Sequence, residues 1–103
     1  MPMSHNIEFC AFLSIRYLNP LLMGPAHDWI DDNMPEEMPK GIIRIRNFHI
    51  APDRGMTILW FDTQENLDAA FPFLKAFQQQ IAERFEARVE AQKGITSPDS
   101  DFG

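Results

Sequence analysis

Cysteine, basic residues and long apolar runs are what this 103-residue chain has least of. Its single cysteine, Cys10, excludes an internal disulfide and suits a reducing compartment. With neither a neighbouring base nor a CxxC partner, Cys10 predicts a small buried side chain. No apolar run approaches the roughly 20 residues of a membrane span, because Glu8 and Arg16 bracket the greasiest stretch. The first residues carry neither the basic region nor the small-residue cleavage site of a signal peptide, so a cytoplasmic location is expected. Nine basic residues against fifteen acidic ones leave a net charge of −6, which argues against nucleic acid or an anionic membrane as partner. Five scattered glycines form no phosphate-cradling loop, and no Ser-His-Asp arrangement or catalytic carboxylate pair can be built from the spacings.

What is present is a globular composition, 45% hydrophobic and 12% aromatic, in a length that fits one domain spanning residues 1–103. Residues 7–17 alternate: Ile7, Phe9, Ala11, Leu13, Ile15 and Tyr17 share one side, and Glu8, Cys10, Phe12, Ser14 and Arg16 the other. That period of two predicts a strand, stopped by Asn19-Pro20. Between Pro25 and Pro35, Ala26, Trp29, Ile30 and Asn33 or Met34 recur at helical spacing, with Pro25 at the first helical position. Residues 41–50 and 56–62 predict two strands joined by Ala51-Pro52-Asp53-Arg54-Gly55, a turn-forming run. Pairing Ile50 with Met56 sets Phe48 opposite Ile58 and Arg46 opposite Trp60. It leaves Ile43, Ile45, Asn47, His49, Leu59 and Phe61 on the other face; a bulge at Gly55 would exchange the faces of one strand.

Asp62 predicts the cap of the next helix, with Glu65 reaching back to it. Leu67, Phe71, Leu74, Phe77, Ile81 and Phe85 then form one apolar stripe, interrupted by Pro72, where a kink or a second abutting segment is expected. Residues 86–93 alternate and predict a fourth strand, although their propensity is helical. The folded core thus runs from about 7 to 93, and residues 95–103 have the composition of a tail. The order strand, helix, strand, strand, helix, strand predicts an α+β, ferredoxin-like βαββαβ fold, an antiparallel sheet with two helices on one face. The opposite face would gather Phe12, Phe48, Ile58 and Trp60 with Arg46, a patch that soluble monomers seldom expose. A homodimer closing over that patch is expected, with the tail and its Phe102 lying against the second subunit.

The run Trp60-Phe61-Asp62-Thr63-Gln64-Glu65-Asn66-Leu67-Asp68-Ala69-Ala70 resembles the strand-to-helix junction of the dimeric α/β-barrel superfamily, which includes the antibiotic-biosynthesis-type monooxygenases. Their pattern there is Trp-acid-Ser-x-Glu before an alanine-rich helix start. Phe61 falls at the Trp, Asp62 at the acid, Thr63 at the Ser and Glu65 at the Glu. The resemblance implies a dimeric barrel and a cofactor-independent, monooxygenase-like enzyme acting on a small aromatic or apolar substrate. It does not extend to the haem-degrading members. Their Trp position holds Phe61, their helix His position holds Phe71, and the first strand offers no Asn unless Asn6 is counted.

His49 on the second strand is the candidate general base, since a neutral imidazole accepts a proton near neutrality; the alternative is a histidine hydrogen-bonded at the sheet margin. Asn47, Tyr17, Phe61 and Phe71 are candidates for lining a ligand pocket between sheet and helices. His27 and Asp31 share a helix face beside Asp28 and Asp32, but a metal needs three or four converging ligands, so no metal is expected. Arg44 and Arg46 near Trp60 suggest either an anion site or interface arginines meeting Glu8, Glu86 or Glu90. No cofactor is expected, and the partners expected are a second copy and a small apolar or aromatic ligand. The alternative function is a non-catalytic small-molecule-binding or structural dimer.

Overall fold

Alternation in the first segment becomes β1 (Phe9–Tyr17), an inner strand of the sheet in the computed structural model, which describes residues 7–96. Its odd-numbered side chains turn inward: Ala11 and Tyr17 are buried, and Phe9, Leu13 and Ile15 pack against the buried clusters. Ile7 precedes the strand and is exposed. A 3-10 turn (Pro20–Leu22) follows, with Asn19 Oδ1 accepting from the Leu21 amide at 3.1 Å. It runs directly into α1 (Met23–Asn33), so the helix starts two residues before Pro25. Pro25 therefore sits within the first turn, where its missing N–H costs no helical bond.

β2 (Ile42–Ala51) and β3 (Arg54–Phe61) form a hairpin, and β4 (Ala87–Ile95) closes an antiparallel sheet of order β2-β3-β1-β4. With α2 (Gln64–Phe85) the chain reads βαββαβ, the expected α+β ferredoxin-like arrangement. No helix among the described residues is long and apolar enough to cross a membrane.

The hairpin register corrects the expected pairing. Phe48 stands opposite Met56, Arg46 opposite Ile58 and Arg44 opposite Trp60. The shift from the expectation is two residues, and because side chains alternate with period two the assignment of faces survives. Irregularities between Ile42 and Arg44 and between His49 and Ala51 bracket the regular stretch. The first moves Ile42, not Ile43, against the core and leaves Ile43 67% exposed, so Ile43 does not join the covered face.

α2 is capped by Thr63, whose hydroxyl accepts from the Asn66 amide at 3.1 Å. Asp62 is not the cap: it accepts instead from Asn66 Nδ2 at 2.7 Å. The helix runs unbroken through Pro72. An interior proline costs about 3 kcal/mol, but burying Leu67, Leu74 and Ile81 contributes about 1.5–3 kcal/mol each, so packing overrides propensity. Glu86 ends the helix at φ 52°. β4 extends beyond the expected 93, and Thr96 holds the sheet edge by donating its amide to Glu8 O at 2.9 Å. Ile95 thus belongs to the sheet rather than to a tail, with Thr96 bonded just past its end; Phe102, like Asn6, lies outside the described residues.

The core comprises Ala11, Leu59, Phe61, Leu67, Ala70 and Leu74 under α2, and a second cluster of Tyr17, Met23 and Ala26 under α1. The space between these two clusters is not filled.

Candidate functional site

That space is a cavity of about 430 Å³ bounded by β1, β2, β3, both helices and the segment after α1. Alternation along β1 aims Leu13, Ile15 and Tyr17 into it, and Ile45, Asn47, His49, Thr57 and Leu59 arrive from the hairpin. α1 presents His27, Ile30 and Asp31 at three- and four-residue steps, one helix face. α2 contributes Phe73, Leu74, Phe77, Gln78 and Ile81, and Met34, Pro35 and Met38 close one side.

His49, Asn47 and Tyr17 thus come together at one cavity. Phe61 and Phe71 do not line it: Phe61 is 2% exposed within the core and Phe71 packs against that core. Both lie toward the α2 N-terminus, where the helix rests on the sheet without a gap. Phe12, Ile58, Trp60 and Arg46 occupy the opposite face by register, the three apolar ones half-buried. Phe48 is 40% exposed at the edge strand and also borders the cavity. It is Arg44 rather than Arg46 that covers the Trp60 ring, 4.9 Å from its centroid. The Phe12 ring lies against Gly94, where an added Cβ would fall 2.7 Å from it.

Polar groups in the cavity are few and specifically held. The Thr57 hydroxyl donates to Asn47 Oδ1 at 2.6 Å across the hairpin, which leaves the Asn47 amide hydrogens available. Gln78, 3% exposed, donates through Nε2 to Ser14 O at 3.0 Å and Glu90 O at 3.1 Å. Both amide hydrogens are thereby used, leaving Oε1 as its acceptor. Burial pushes the Tyr17 hydroxyl above its ordinary value, so it remains a donor. Burial, and then the nearby Glu8 carboxylate, push the Cys10 thiol up, which keeps it an unreactive thiol beneath the outer face.

Four polar lining residues, His27, Asp31, Thr57 and Gln78, were not read from the sequence as part of a pocket. His27 brings its ring to 5.8 Å from that of His49, centroid to centroid, at an interplanar angle of 73°. Gln78 lies four residues after Leu74 and three before Ile81, and a polar residue at core spacing was a usable signal. Trp29, behind the wall, stacks on Phe77 at 5.8 Å under the Arg84 guanidinium. Among the described residues no group of three or more His, Cys, Asp or Glu side chains is placed to hold a metal ion.

No protein-family model and no curated protein matches this sequence. Solved structures do. A dimeric ferredoxin-like protein from an uncultured marine organism superposes with a TM-score of 0.70 at 13% identity, covering 94% of this chain and 92% of that one. A second such dimeric protein, also from an uncultured marine organism, gives 0.67 at 11% identity over 88% and 96%. HapK from Hahella chejuensis gives 0.58 at 16% identity over 92% and 97%. At these identities the likeness establishes the ferredoxin-like fold; none of the three is named as a monooxygenase.

Proposed function

We propose that this protein is a homodimeric small-molecule enzyme that binds a small, largely apolar or aromatic ligand between helices and sheet. His49 acts as general base, and Asn47 and Tyr17 orient the ligand. The observation that carries the reading is the cavity itself. About 430 Å³, walled by Leu, Ile, Met and Phe and broken by a few convergent polar groups, is the character of a small-molecule site. Tyr17 supplies a proton donor, Asn47 a fixed amide, and His49 a base. Deprotonating an acidic aromatic substrate is also how a cofactor-independent monooxygenase would begin, dioxygen then reacting with the electron-rich anion. The likeness of residues 60–70 to that group extends the proposal to such chemistry.

The dimer is supported by the outer face. Phe12, Ile58 and Trp60 are half-buried and Phe48 exposed there, among Arg44, Arg46, Arg88 and Glu90. Both charges on one face allow a two-fold interface to be self-complementary. The dimeric state of two structural neighbours supports the same reading.

Trp29 reports on the cavity through Phe77, so ligand binding is tested by its fluorescence in a Trp60→Phe background. Naphthalene should give a saturable change of one site per chain, and Ile45→Trp, which fills the cavity from the half-exposed edge and is followed by equilibrium dialysis because it adds a fluorophore, should abolish binding. An unchanged isotherm in Ile45→Trp would place the ligand elsewhere. A second reading, ligand binding without catalysis, is favoured by one observation. Among the described residues the His49 ring meets the edge of His27 rather than a carboxylate that would orient it. Turnover that survives His49→Phe excludes His49 as the base.

A further inference from the structure

The two imidazoles approach the cavity from different layers, His27 from the helix and His49 from the edge of the sheet. Both are exposed, so both can exchange protons with solvent and with a bound molecule. Their rings meet edge to face at 5.8 Å, which sets them side by side along the wall. Among the described residues the one other charged side chain bordering the cavity is Asp31, a helical turn after His27, and no Lys or Arg borders it. A full negative charge on the ligand would meet the Asp31 carboxylate, which a neutral ligand avoids.

We propose that His27 is a second catalytic residue, which with His49 relays a proton across a neutral ligand carrying an enolisable carbonyl. This rests on the ligand-binding reading above and gives it a reaction class: relocation of a proton within one carbon skeleton. The step balances inside the pair and the substrate. Neutral His49 takes the proton from the carbon next to the carbonyl, and the C–H electron pair becomes the new C=C bond. The carbonyl π pair takes a proton from protonated His27, giving the enol. The positive charge passes from one imidazole to the other, and no oxidant or cofactor enters. Reversal at the same carbon exchanges the proton; reversal at a conjugated position moves the double bond.

The spacing suits this division of labour. The acidic carbon and the carbonyl oxygen are two bonds apart, about 2.4 Å from standard bond lengths. Groups standing side by side, each within hydrogen-bond reach of its own atom, are what such a substrate requires.

The test uses 2-tetralone, a neutral bicyclic ketone, and follows deuterium uptake beside its carbonyl by NMR in heavy water. The wild type should accelerate exchange, and His49→Phe and His27→Phe should each lower the rate about 100-fold or more, the usual size of a general acid–base contribution. Phenylalanine preserves the edge-to-face ring contact, so the Trp29 binding isotherm should stay unchanged in both variants. An undiminished exchange rate in His27→Phe overturns the proposal, as does a rate loss explained wholly by lost binding. If the wild type binds naphthalene and 2-tetralone but accelerates no exchange, the relay falls and the binding reading stands. If it binds neither, the binding reading falls first.

Discussion

Gly41 and Gly24 invite the same substitution with opposite outcomes. Gly41 precedes β2 at φ +93°, and a Cβ there would lie 2.6 Å from Asn66 Cβ, Asn66 Nδ2 and Asp62 Oδ1. None of these atoms is free to retreat. Asn66 donates its amide to Thr63 and its side chain to Asp62, and the Asp62 amide donates to Gly41 O at 2.9 Å. Alanine at 41 therefore takes about 1–2 kcal/mol of left-handed backbone strain. It also loses about 1 kcal/mol of helix cap, and overpacking adds about 1–3 kcal/mol. The sum, about 3–6 kcal/mol, is a large share of the stability of a small domain, which is about 5–15 kcal/mol. Gly24 lies in the first turn of α1 with nothing within 4 Å of a built Cβ, so Gly24→Ala should stabilise by about 0.5 kcal/mol through helix propensity. Urea unfolding followed by far-ultraviolet circular dichroism measures both. A Gly41→Ala variant within about 1 kcal/mol of wild type would refute the argument that the α2 N-terminus is built around a missing side chain.

Trp60→Asp should shift the protein to a monomer at micromolar concentration in light scattering, because the apolar ring is lost and a carboxylate, even beside Arg44, must be stripped of water to be covered; an unchanged dimer would move the interface off this face. Glu86→Gly should stabilise by about 0.5–1 kcal/mol in urea melts, relieving a non-glycine residue at φ 52°; a destabilisation would mean the Glu86 side chain matters more than its backbone. Tyr17 is the chain's one tyrosine, so its phenolate absorbance is unambiguous. Burial raises its folded value, so the folded state binds more protons at high pH. The Tyr17 contribution is complete below the unfolded phenol's value near 10 and is lost as pH climbs through the folded one. A folded midpoint at or below that in urea would contradict this.

Local patterns carried the fold a long way. The β1 alternation was readable because one inner strand with a single buried face obeys period two without interruption. The hairpin was read with the correct faces and the wrong register, since the irregularities at Ile43 and Ile50 are set by how the ends of β2 meet β3, not by residue type. Asp62 and Thr63 are both good capping residues, and the choice between them fell to Asn66, whose amide reaches one and whose side chain reaches the other. Part of the site was legible in the same way: Asn47, His49 and Tyr17 follow from knowing which face the helices cover. The His27–His49 meeting was not, because it joins residues 22 apart in sequence through tertiary packing that no local pattern encodes. Phe61 and Phe71 were mistaken for pocket wall because an aromatic at core spacing gives no sign of whether the space beside it is filled.

The Gln78 tether bears on how this cavity can change. Its amide joins α2 to the carbonyls of two adjacent strands, which ties this wall of the cavity to the sheet. One side of the cavity is closed by Met34, 43% exposed, and Met38, flexible thioether side chains on a segment outside any helix or strand. Substitutions at residues 34–38 can therefore resize the cavity without disturbing the sheet, whereas a change at position 78 breaks both bonds that tie α2 to it.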